Sequence, residues 1–368
     1  MKTWRFLGGI LLIGIMLHLW PASVSPAAAR TITDASGRQV EIPNQVDRVI
    51  CSGPGALRLL TYLQCQSKIV AVDDMEKQRP QFDARPYALA NPQFKEFPIF
   101  GEFRGHDHPE RILTQVIFKT YPTMGHDPVE LSRKTGIPVV VLDYGNLCNR
   151  RADLYRSLRI MGEVMDAAAR AEQVIAFFDQ SIADLHRRTA DIPEKRWPSC
   201  FVGGVAYRGP HGFQSTEPTY PPFALVNARN LAADTLSEEK ALQQSSIAKE
   251  KIVAWDPEVL FLDLATLQMG EKAGGLFELK TDPAYAGLTA VRSGRVYGLL
   301  PYNWYTQNFG SILADAYFIG QRLYPDRFAD IEPAAKADEI YTFLVGRPVF
   351  AAMNASFGQL AFTAVPLK

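Results

Sequence analysis

Three segments of the chain concentrate side chains that commonly bind small molecules. They are residues 207–217, with Tyr207, Arg208 and His211; residues 301–308, with Tyr302, Asn303, Trp304 and Tyr305; and residues 104–108, with His106 and His108. Aromatic rings with polar tips, amides and an arginine suit a bulky polar ligand. The guanidinium can hold a carboxylate or a chelate anion in a fork, and the rings can stack on a planar chelate. Such loops also pack over protein cores, so their composition predicts a binding site without identifying its ligand.

A metal ion is the second kind of ligand that these residue types allow. His106, Asp107 and His108 offer imidazole and carboxylate groups, which are common metal ligands. Alternate residues of an extended loop point apart, however, and a solvated histidine pair explains this segment equally well. His126 and His211 could complete a metal set only if the fold brings them together. The metal site stays unknown, with His106, His108 and His126 as its candidates.

Catalytic motifs are absent from the sequence. The chain contains no G-x-S-x-G elbow and no H-E-x-x-H helix. The turn from Ser52 to Gly55 lacks the lysine and hydroxyl residue of a phosphate-binding P-loop. We therefore predict a binding protein that is not an enzyme and that carries no resident cofactor.

Residues 1–29 have the features of a secretory signal peptide. Lys2 and Arg5 precede a short apolar run, and Ala27 to Ala29 supplies a small-residue cleavage site. The run is short for a membrane span, which needs about 20 residues, and no cysteine stands near the cleavage site. We predict a cleaved, exported protein that is neither a lipoprotein nor inserted in the membrane. Loss of two basic residues from 39, against 39 acidic residues, gives a net charge of about −2, which argues against nucleic acid as a partner.

Length and cysteine content set further bounds. A mature chain of about 340 residues suits two domains with cores of their own. The four cysteines, Cys51, Cys65, Cys148 and Cys200, are widely spaced. Export permits disulfides, and the sequence leaves open whether any of these residues pair.

The pattern of elements predicts an α/β fold. Short apolar strands alternate with helices over residues 48–143 and again from residue 199 onward, which implies parallel sheets. Ligands bind beyond the carboxyl ends of such strands. Ser52, Gly53 and Tyr121 stand at those ends, so they join the candidate ligand-binding residues named above.

A long amphipathic segment separates the two halves. Apolar residues recur at steps of three and four from Asp153 to about Arg188, which predicts one unbroken helix. We expect an N-terminal lobe at 30–150, a bridging helix at 151–190 and a C-terminal lobe with closing helices at 191–368. Residues 109–113 and 249–253 share a pattern of acid, base and two apolar residues before a strand. This weak repeat supports two similar Rossmann-like lobes.

The order of these features resembles one known family. The hairpin at 33–38, the strand and turn at 48–55, the repeat segments and the long helix are together similar to the substrate-binding proteins of bacterial ABC importers. The resemblance is to the iron–siderophore, haem and cobalamin cluster, whose two lobes are joined by a single long helix. It implies periplasmic capture of an iron complex, such as a siderophore, haem or corrinoid chelate, and its delivery to a permease and ATPase. Binders of molybdate or tungstate and of divalent metal ions share the cluster, so both remain alternatives.

The resemblance also implies a surface for the permease. In this family an acidic residue on each lobe docks onto permease arginines, and Glu110 and Glu250 match those positions. On the residues alone, both glutamates would be explained by a favourable interaction with a helix N-terminus. We expect a monomer whose lobes move little on binding, because a continuous helix resists bending.

Overall fold

The computed structural model describes residue 1 and residues 29–78, 83–101, 112–235 and 244–367. Nearly all of the predicted signal peptide lies outside these ranges. The predicted hairpin is confirmed: β1 (Ala29–Thr33) pairs antiparallel with β2 (Gln39–Pro43). Its turn is fixed by Asp34, whose Oδ1 accepts the backbone N–H groups of Ser36 and Arg38, both at 3.0 Å. None of the helices in the described ranges is long and apolar enough to cross a bilayer.

The N-terminal lobe is built on a five-stranded parallel sheet with the strand order β5-β4-β3-β6-β7. Its strands are β3 (Val49–Ser52), β4 (Ile69–Asp73), β5 (Ile99–Gly101), β6 (Val116–Thr120) and β7 (Val139–Leu142). Its helices are α1 (Ala56–Tyr62), α2 (Pro86–Ala90) and α3 (Pro128–Thr135). Nearly all strand residues are buried, as in a sheet covered on both faces, which explains the apolar runs in the sequence. The short edge strand β5 is missing from the sequence prediction.

The prediction of one unbroken helix from Asp153 to Arg188 is wrong. The segment forms α4 (Arg151–Val164) and α5 (Ala168–Thr189), with a turn between them. Asp166 takes a left-handed φ of 57°. The N–H of Ala167 then bonds to the carbonyl of Gly162 at 2.7 Å, which ends α4 in the manner of a helix C-cap.

The two helices pack as an antiparallel pair. Arg159 Nε lies 2.6 Å from Glu172 Oε1, and the Tyr155 hydroxyl donates to Asp179 over 2.8 Å. A Cβ on Gly162 would lie 2.9 Å from the Ala171 side chain, so this glycine permits the close crossing. Because each helix buries one face, the apolar spacing of three and four residues continues across the turn. The spacing alone therefore does not reveal that the helix is interrupted. The bridge between the lobes is α5 alone, about 33 Å long, while α4 packs on the N-terminal lobe.

The C-terminal lobe contains a four-stranded parallel sheet with the order β10-β8-β12-β13 and a separate two-stranded ladder, β9 with β11. The strands are β8 (Ser199–Gly203), β9 (Ser215–Thr216), β10 (Arg229–Asn230), β11 (Ser245–Ser246), β12 (Val259–Asp263) and β13 (Val296–Leu299). The helices are α6 (Pro221–Ala224), α7 (Lys249–Trp255), α8 (Gly274–Thr281), α9 (Pro283–Ala286), α10 (Thr289–Arg292), α11 (Phe309–Leu323), α12 (Pro333–Val345) and α13 (Phe350–Ser356). The predicted α/β fold with two parallel-sheet lobes joined by one helix is confirmed, with the bridge shortened to α5.

One apolar core runs through both lobes. Phe178 of α5 contacts Tyr62 of the N-terminal lobe and Phe309 of the C-terminal lobe, with ring centroids 6.2 and 6.0 Å apart. Arg170 Nε donates to the carbonyl of Tyr62 over 2.9 Å, and its Nη2 donates to that of Phe343 in α12. A large rotation of one lobe against the other would expose this shared core.

Candidate functional site

A cavity of about 450 Å³, here called the first cavity, lies between the lobes. On the N-terminal side Tyr121 follows β6, Asp143 follows β7, and Asn146 and Arg150 precede α4. The C-terminal side contributes Glu217, Asn303, Thr306 and Gln307. The carboxyl ends of parallel strands therefore face this cavity, which is the usual ligand edge of an α/β sheet.

A second cavity of about 640 Å³ continues from the first. Asn146, Arg150, Glu217 and Gln307 line both cavities. The two spaces therefore form one cleft, with a guanidinium of one lobe and a carboxyl of the other at their junction.

The loop at 301–308 supplies much of the C-terminal wall and has a strained backbone. Tyr305 and Thr306 take left-handed φ values of 50° and 62°, which cost about 1–3 kcal/mol each for residues of these types. Asn308 stabilises the turn, because its Nδ2 donates to the carbonyls of Tyr302 at 3.0 Å and Trp304 at 3.1 Å. Strain of this kind persists only where surrounding contacts hold the loop.

Arg58, in the middle of α1, provides those contacts from the opposite lobe. Its side chain is buried; Nη2 donates to the carbonyls of Trp304 at 3.1 Å and Tyr305 at 3.2 Å. Its Nη1 donates to the carbonyl of Gln307 at 2.8 Å and to the Tyr144 hydroxyl, which itself donates to the Gln307 carbonyl at 2.7 Å. A buried guanidinium is stable only with matched acceptors, and here the acceptors belong to the cleft-lining loop.

The turn at 52–55 packs beneath that loop. A Cβ on Gly55 would lie 2.1 Å from the Tyr144 ring and 2.7 Å from the Thr306 methyl group. Ser52 is buried, and its Oγ accepts a hydrogen bond from Lys119 Nζ at 3.2 Å. Neither Ser52 nor Gly53 lines either cavity. The glycines here serve the contact between the lobes.

A buried network fixes the ring of Tyr305. Its hydroxyl donates to Asp73, at the end of β4. Beside it Arg85 forms an ion pair with Glu76 at 2.9 Å, and its guanidinium carbon lies 5.5 Å from the centre of the Tyr305 ring. Burial, reinforced by Glu76, raises the pKa of Asp73 well above its ordinary value, although the bond from Tyr305 opposes this rise.

Glu217 and Tyr302 join the two C-terminal loops. The Tyr302 hydroxyl, fully buried, donates to Glu217. The pKa of Glu217 is raised to about 7, mainly by burial. The negative charge of neighbouring Asp263 adds to this rise, and the hydrogen bond from Tyr302 opposes it. The cleft thus contains a carboxyl group that changes charge near neutral pH.

The other predicted ligand residues lie outside both cavities. Tyr207 and Arg208 are exposed, with the guanidinium carbon 5.2 Å from the centre of the Tyr207 ring. His211 hydrogen-bonds the Tyr207 carbonyl at 2.7 Å. Trp304 is buried, and its ring contacts that of Phe357. Of the ten predicted residues, the structure places only Tyr121 and Asn303 on the walls of the cleft.

The remaining predictions concern metal and partner sites. Glu110, His106 and His108 lie outside the described residues, so their roles stay predictions. Glu250 is exposed in the first turn of α7, and His126 is half-buried. Within the described ranges no three His, Cys, Asp or Glu side chains are grouped to hold a metal ion. All four cysteines are unpaired, and only Cys148 is exposed.

Sequence reasoning found two of the cleft segments and named few of their cleft-lining side chains. Glu217, Thr306 and Gln307 lie within the predicted segments 207–217 and 301–308 but were not named as ligand residues, and Arg150 lies in neither segment. Arg58 did leave a signal, because it stands alone among the apolar residues of α1, all of which are buried. A single arginine in such a helix indicates a buried partner.

Comparison with known proteins agrees with this architecture. A family model described as "Periplasmic binding protein" matches residues 116–302, just over half of the chain. The molybdate-binding protein MolA of Haemophilus influenzae is 22% identical over 360 residues, covering 90% of this chain and 94% of the relative. Its molybdate-bound structure superposes with a TM-score of 0.65 at 17% identity, covering 87% of this chain and 98% of that chain.

Other solved structures have the same fold and different ligands. CeuE of Helicobacter pylori, solved with nickel and histidine, has a TM-score of 0.58 at 14% identity, covering 90% of this chain and 99% of that chain. A protein of an Fe3+-hydroxamate transport system from Saccharomonospora viridis has a TM-score of 0.51 at 17% identity, covering 80% and 99%. The Haemophilus influenzae and Saccharomonospora viridis proteins are both described as parts of ABC-type transport systems. The chain belongs to the periplasmic binding protein family.

Proposed function

We propose that this protein captures an iron complex or a similar metal chelate in the cleft between its lobes and delivers it to an ABC permease. The observation that carries the proposal is the size and chemistry of the first cavity. At about 450 Å³ it falls within the range of sites for drug-sized ligands. Amide groups of Asn146, Asn303 and Gln307 and the phenol of Tyr121 line it, and these groups suit the oxygen-rich surface of a chelate.

A bare metal ion has less support. A metal bound directly by protein needs several His, Cys or carboxylate ligands at one point. No such group occurs among the described residues. The proposal therefore places the metal within a complex whose own donor atoms hold it.

A bare oxyanion such as molybdate or tungstate is the second candidate, favoured by the similarity to the molybdate-binding protein of Haemophilus influenzae. The charge of the first cavity argues against it. Among the residues that the structure describes, Arg150 is the one basic residue on its wall, and Asp143 and Asp153 already bind that guanidinium. Glu217 adds a further acidic group. A small dianion would find one shared arginine among several carboxyl groups.

Calorimetric titration of the purified mature protein separates these candidates. The ligands are ferric acetohydroxamate, ferric salicylhydroxamate, sodium molybdate and nickel(II) with histidine. We expect saturable binding of a ferric chelate, weakened several-fold by Tyr121→Phe, since a hydrogen bond contributes about 0.5–1.5 kcal/mol. Tyr207→Phe, which changes an exposed phenol outside the cleft, is the control and should bind normally.

Two results would overturn the proposal. Binding of molybdate with no response to either chelate would establish the oxyanion function instead. Binding of nickel with histidine alone would identify a different class of complex. The roles of the permease, of Glu250 and of Glu110 remain proposals that transport assays of glutamate variants would test.

A further inference from the structure

We infer that Glu217 selects the ligand by charge and that the chelate carries an ammonium or similar cationic group, which this carboxyl group binds. This inference rests on the proposed function and specifies the class of chelate. It follows from the place of Glu217 on the walls of both cavities and from the pairing of the charged side chains around it.

One oxygen of the Glu217 carboxyl group is available to a ligand. The residue is only 3% exposed, and the Tyr302 hydroxyl donates to its Oε2. Among the residues that the structure describes, nothing donates to Oε1, and no basic side chain forms an ion pair with the carboxyl group. A buried carboxylate is stable only when it is paired or well hydrogen-bonded. An ammonium group in the cleft would supply the missing partner.

Arg150, the basic residue that shares both cavities with Glu217, is already paired. Its guanidinium binds the carboxylates of Asp143 and Asp153, with Nε 3.0 Å from Asp153 Oδ2. Asp143 also lines the first cavity. Ionised Glu217 therefore adds a further negative charge to a wall without surplus positive charge, and this charge attracts a cation and repels an anion.

The second cavity contains two more charged residues, Glu194 and Arg229. They have opposite signs, and both are exposed, so water and salt screen their interaction with a ligand. Glu217 is buried, where the effective dielectric constant is lower and the same charge acts more strongly. It is therefore the charged group of the cleft that discriminates best between ligands of different charge.

The charge of Glu217 depends on pH in the range where binding is measured. Burial raises its pKa to about 7. A ligand cation beside the carboxyl group stabilises the ionised form and lowers this pKa. The affinity for a cationic chelate should therefore rise with pH from about 6 to 8, and binding should release a proton.

The other titratable groups near Glu217 respond differently to pH. The thiol of Cys148 and the phenols of Tyr220 and Tyr302 stay neutral up to about pH 8, because burial raises pKa values that are already higher than this. Burial also raises the pKa of Asp263 to about 7, but Asp263 lines neither cavity. Its negative charge opposes the ionisation of Glu217. A variant that lacks the Glu217 carboxyl group separates the two contributions.

Two ferric chelates that differ in one charge test this inference. Ferric desferrioxamine B has a neutral trihydroxamate iron centre and one pendant primary ammonium group, which like that of lysine has a pKa of about 10. Acetylation of the amine removes the positive charge and leaves the iron centre unchanged. At pH 8 we expect the ammonium form to bind about tenfold more tightly, equivalent to about 1.4 kcal/mol. At pH 6 the preference should fall to about twofold, because most Glu217 is then protonated.

Isothermal titration of the mature protein and of two variants measures these affinities. Glu217→Gln removes the charge and keeps an oxygen acceptor for the Tyr302 hydroxyl, so it should abolish the preference by weakening the binding of the ammonium form. Glu271→Gln, at an exposed position outside both cavities, is the control and should keep the preference. Titration at pH 6.5 in two buffers of different ionisation enthalpy should show release of about half a proton when the unmodified protein binds the ammonium form, and none for Glu217→Gln.

The outcomes distinguish this inference from the proposed function. Equal or lower affinity of the unmodified protein for the ammonium form at pH 8, or an unchanged preference in Glu217→Gln, overturns selection by charge and leaves the chelate function intact. Binding of ferric acetohydroxamate without binding of the ammonium form overturns it as well. Failure of the unmodified protein to bind any of these chelates overturns the proposed function, and the inference falls with it.

Discussion

Two loops of the C-terminal lobe, 206–217 and 301–308, have similar compositions but differ in the burial of their aromatic side chains. Each follows a strand of the same parallel sheet, and each combines aromatic rings, amides and turn residues. In the first loop Tyr207 and Arg208 are exposed and contact each other. In the second, Tyr302, Trp304 and Tyr305 are buried.

The difference arises from the opposite lobe. Arg58 binds three backbone carbonyls of the 301–308 loop, and Asp73 accepts the Tyr305 hydroxyl. No contact of this kind with the N-terminal lobe holds Tyr207 or Arg208 among the described residues. Loops of similar composition therefore differ in structure: 301–308 is held as a wall of the cleft, and Tyr207 and Arg208 of 206–217 are exposed. The cleft depends on buried groups of one lobe that position the loop of the other.

The largest expected effect comes from Arg58→Met. Removal of the guanidinium leaves buried carbonyls and the Tyr144 hydroxyl without their donor, and it releases a strained turn. We expect the free energy of unfolding to fall by about 3–5 kcal/mol, since each bond to a charged group contributes about 1.5–3 kcal/mol. Urea unfolding measures this change, and amide hydrogen exchange should increase over residues 301–308.

Arg208→Met is the matched control in the other loop. An exposed arginine away from buried partners should change the free energy of unfolding by less than about 0.5 kcal/mol. Arg58→Lys keeps the positive charge but cannot reach every carbonyl, so it should lie between the two. Equal stability of the Arg58→Met and Arg208→Met variants would contradict the role assigned to Arg58.

Gly55→Ala tests the fit of the N-terminal turn beneath the loop. The added methyl group would clash with Tyr144 and Thr306, and the left-handed φ of 84° adds strain. Gly37→Ala has nearly the same φ, 82°, with no atom within 4 Å of the added Cβ. We expect losses of about 3–4 kcal/mol for Gly55→Ala and about 1 kcal/mol for Gly37→Ala. Similar losses by urea unfolding would show that backbone strain, and not contact between the lobes, explains the glycine.

Glu217→Gln tests the place where the two loops meet. Burial raises the pKa of this carboxyl from an ordinary 4.5 to about 7, so the folded protein holds the proton more tightly than the unfolded chain. The wild type therefore loses stability as pH rises from about 4.5 to 7, and the glutamine variant does not. The variant should gain about 2–3 kcal/mol relative to wild type between pH 5 and pH 8.

Thermal or urea unfolding of the wild type and of Glu217→Gln at several pH values measures the difference in their free energies of unfolding. Comparison of the two proteins removes most of the contribution of Asp263, whose pKa burial also raises to about 7. A difference that stays constant across this range would mean that Glu217 is ionised normally in the folded protein.

Features set by local composition were predictable from the sequence, and features set by contacts between distant segments were not. The strands β3, β4, β6 and β7 were predictable because apolar runs bounded by turn residues depend on local composition. The turn between α4 and α5 was not, because helices that each bury one face continue the same spacing. Tyr121 was predictable as a cleft residue because it ends a parallel strand. Arg150 was not predictable, since its place in the cleft depends on the position of the opposite lobe. Gln307 lay within the predicted 301–308 segment, but no local pattern distinguished it from the buried residues of that segment.

The sequence alone determined the fold class of this protein, with two parallel-sheet lobes and a bridging helix. These conclusions depend on periodicity and on the order of segments, which are properties of the chain, whereas the expected transport role came from the resemblance to a known family. The tertiary structure decided which side chains line the cleft. Burial of Arg58 and Asp73 against the 301–308 loop removes Trp304 and Tyr305 from the cleft and presents Asn303, Thr306 and Gln307. Such contacts join residues more than 200 positions apart, and no local pattern in the sequence encodes them.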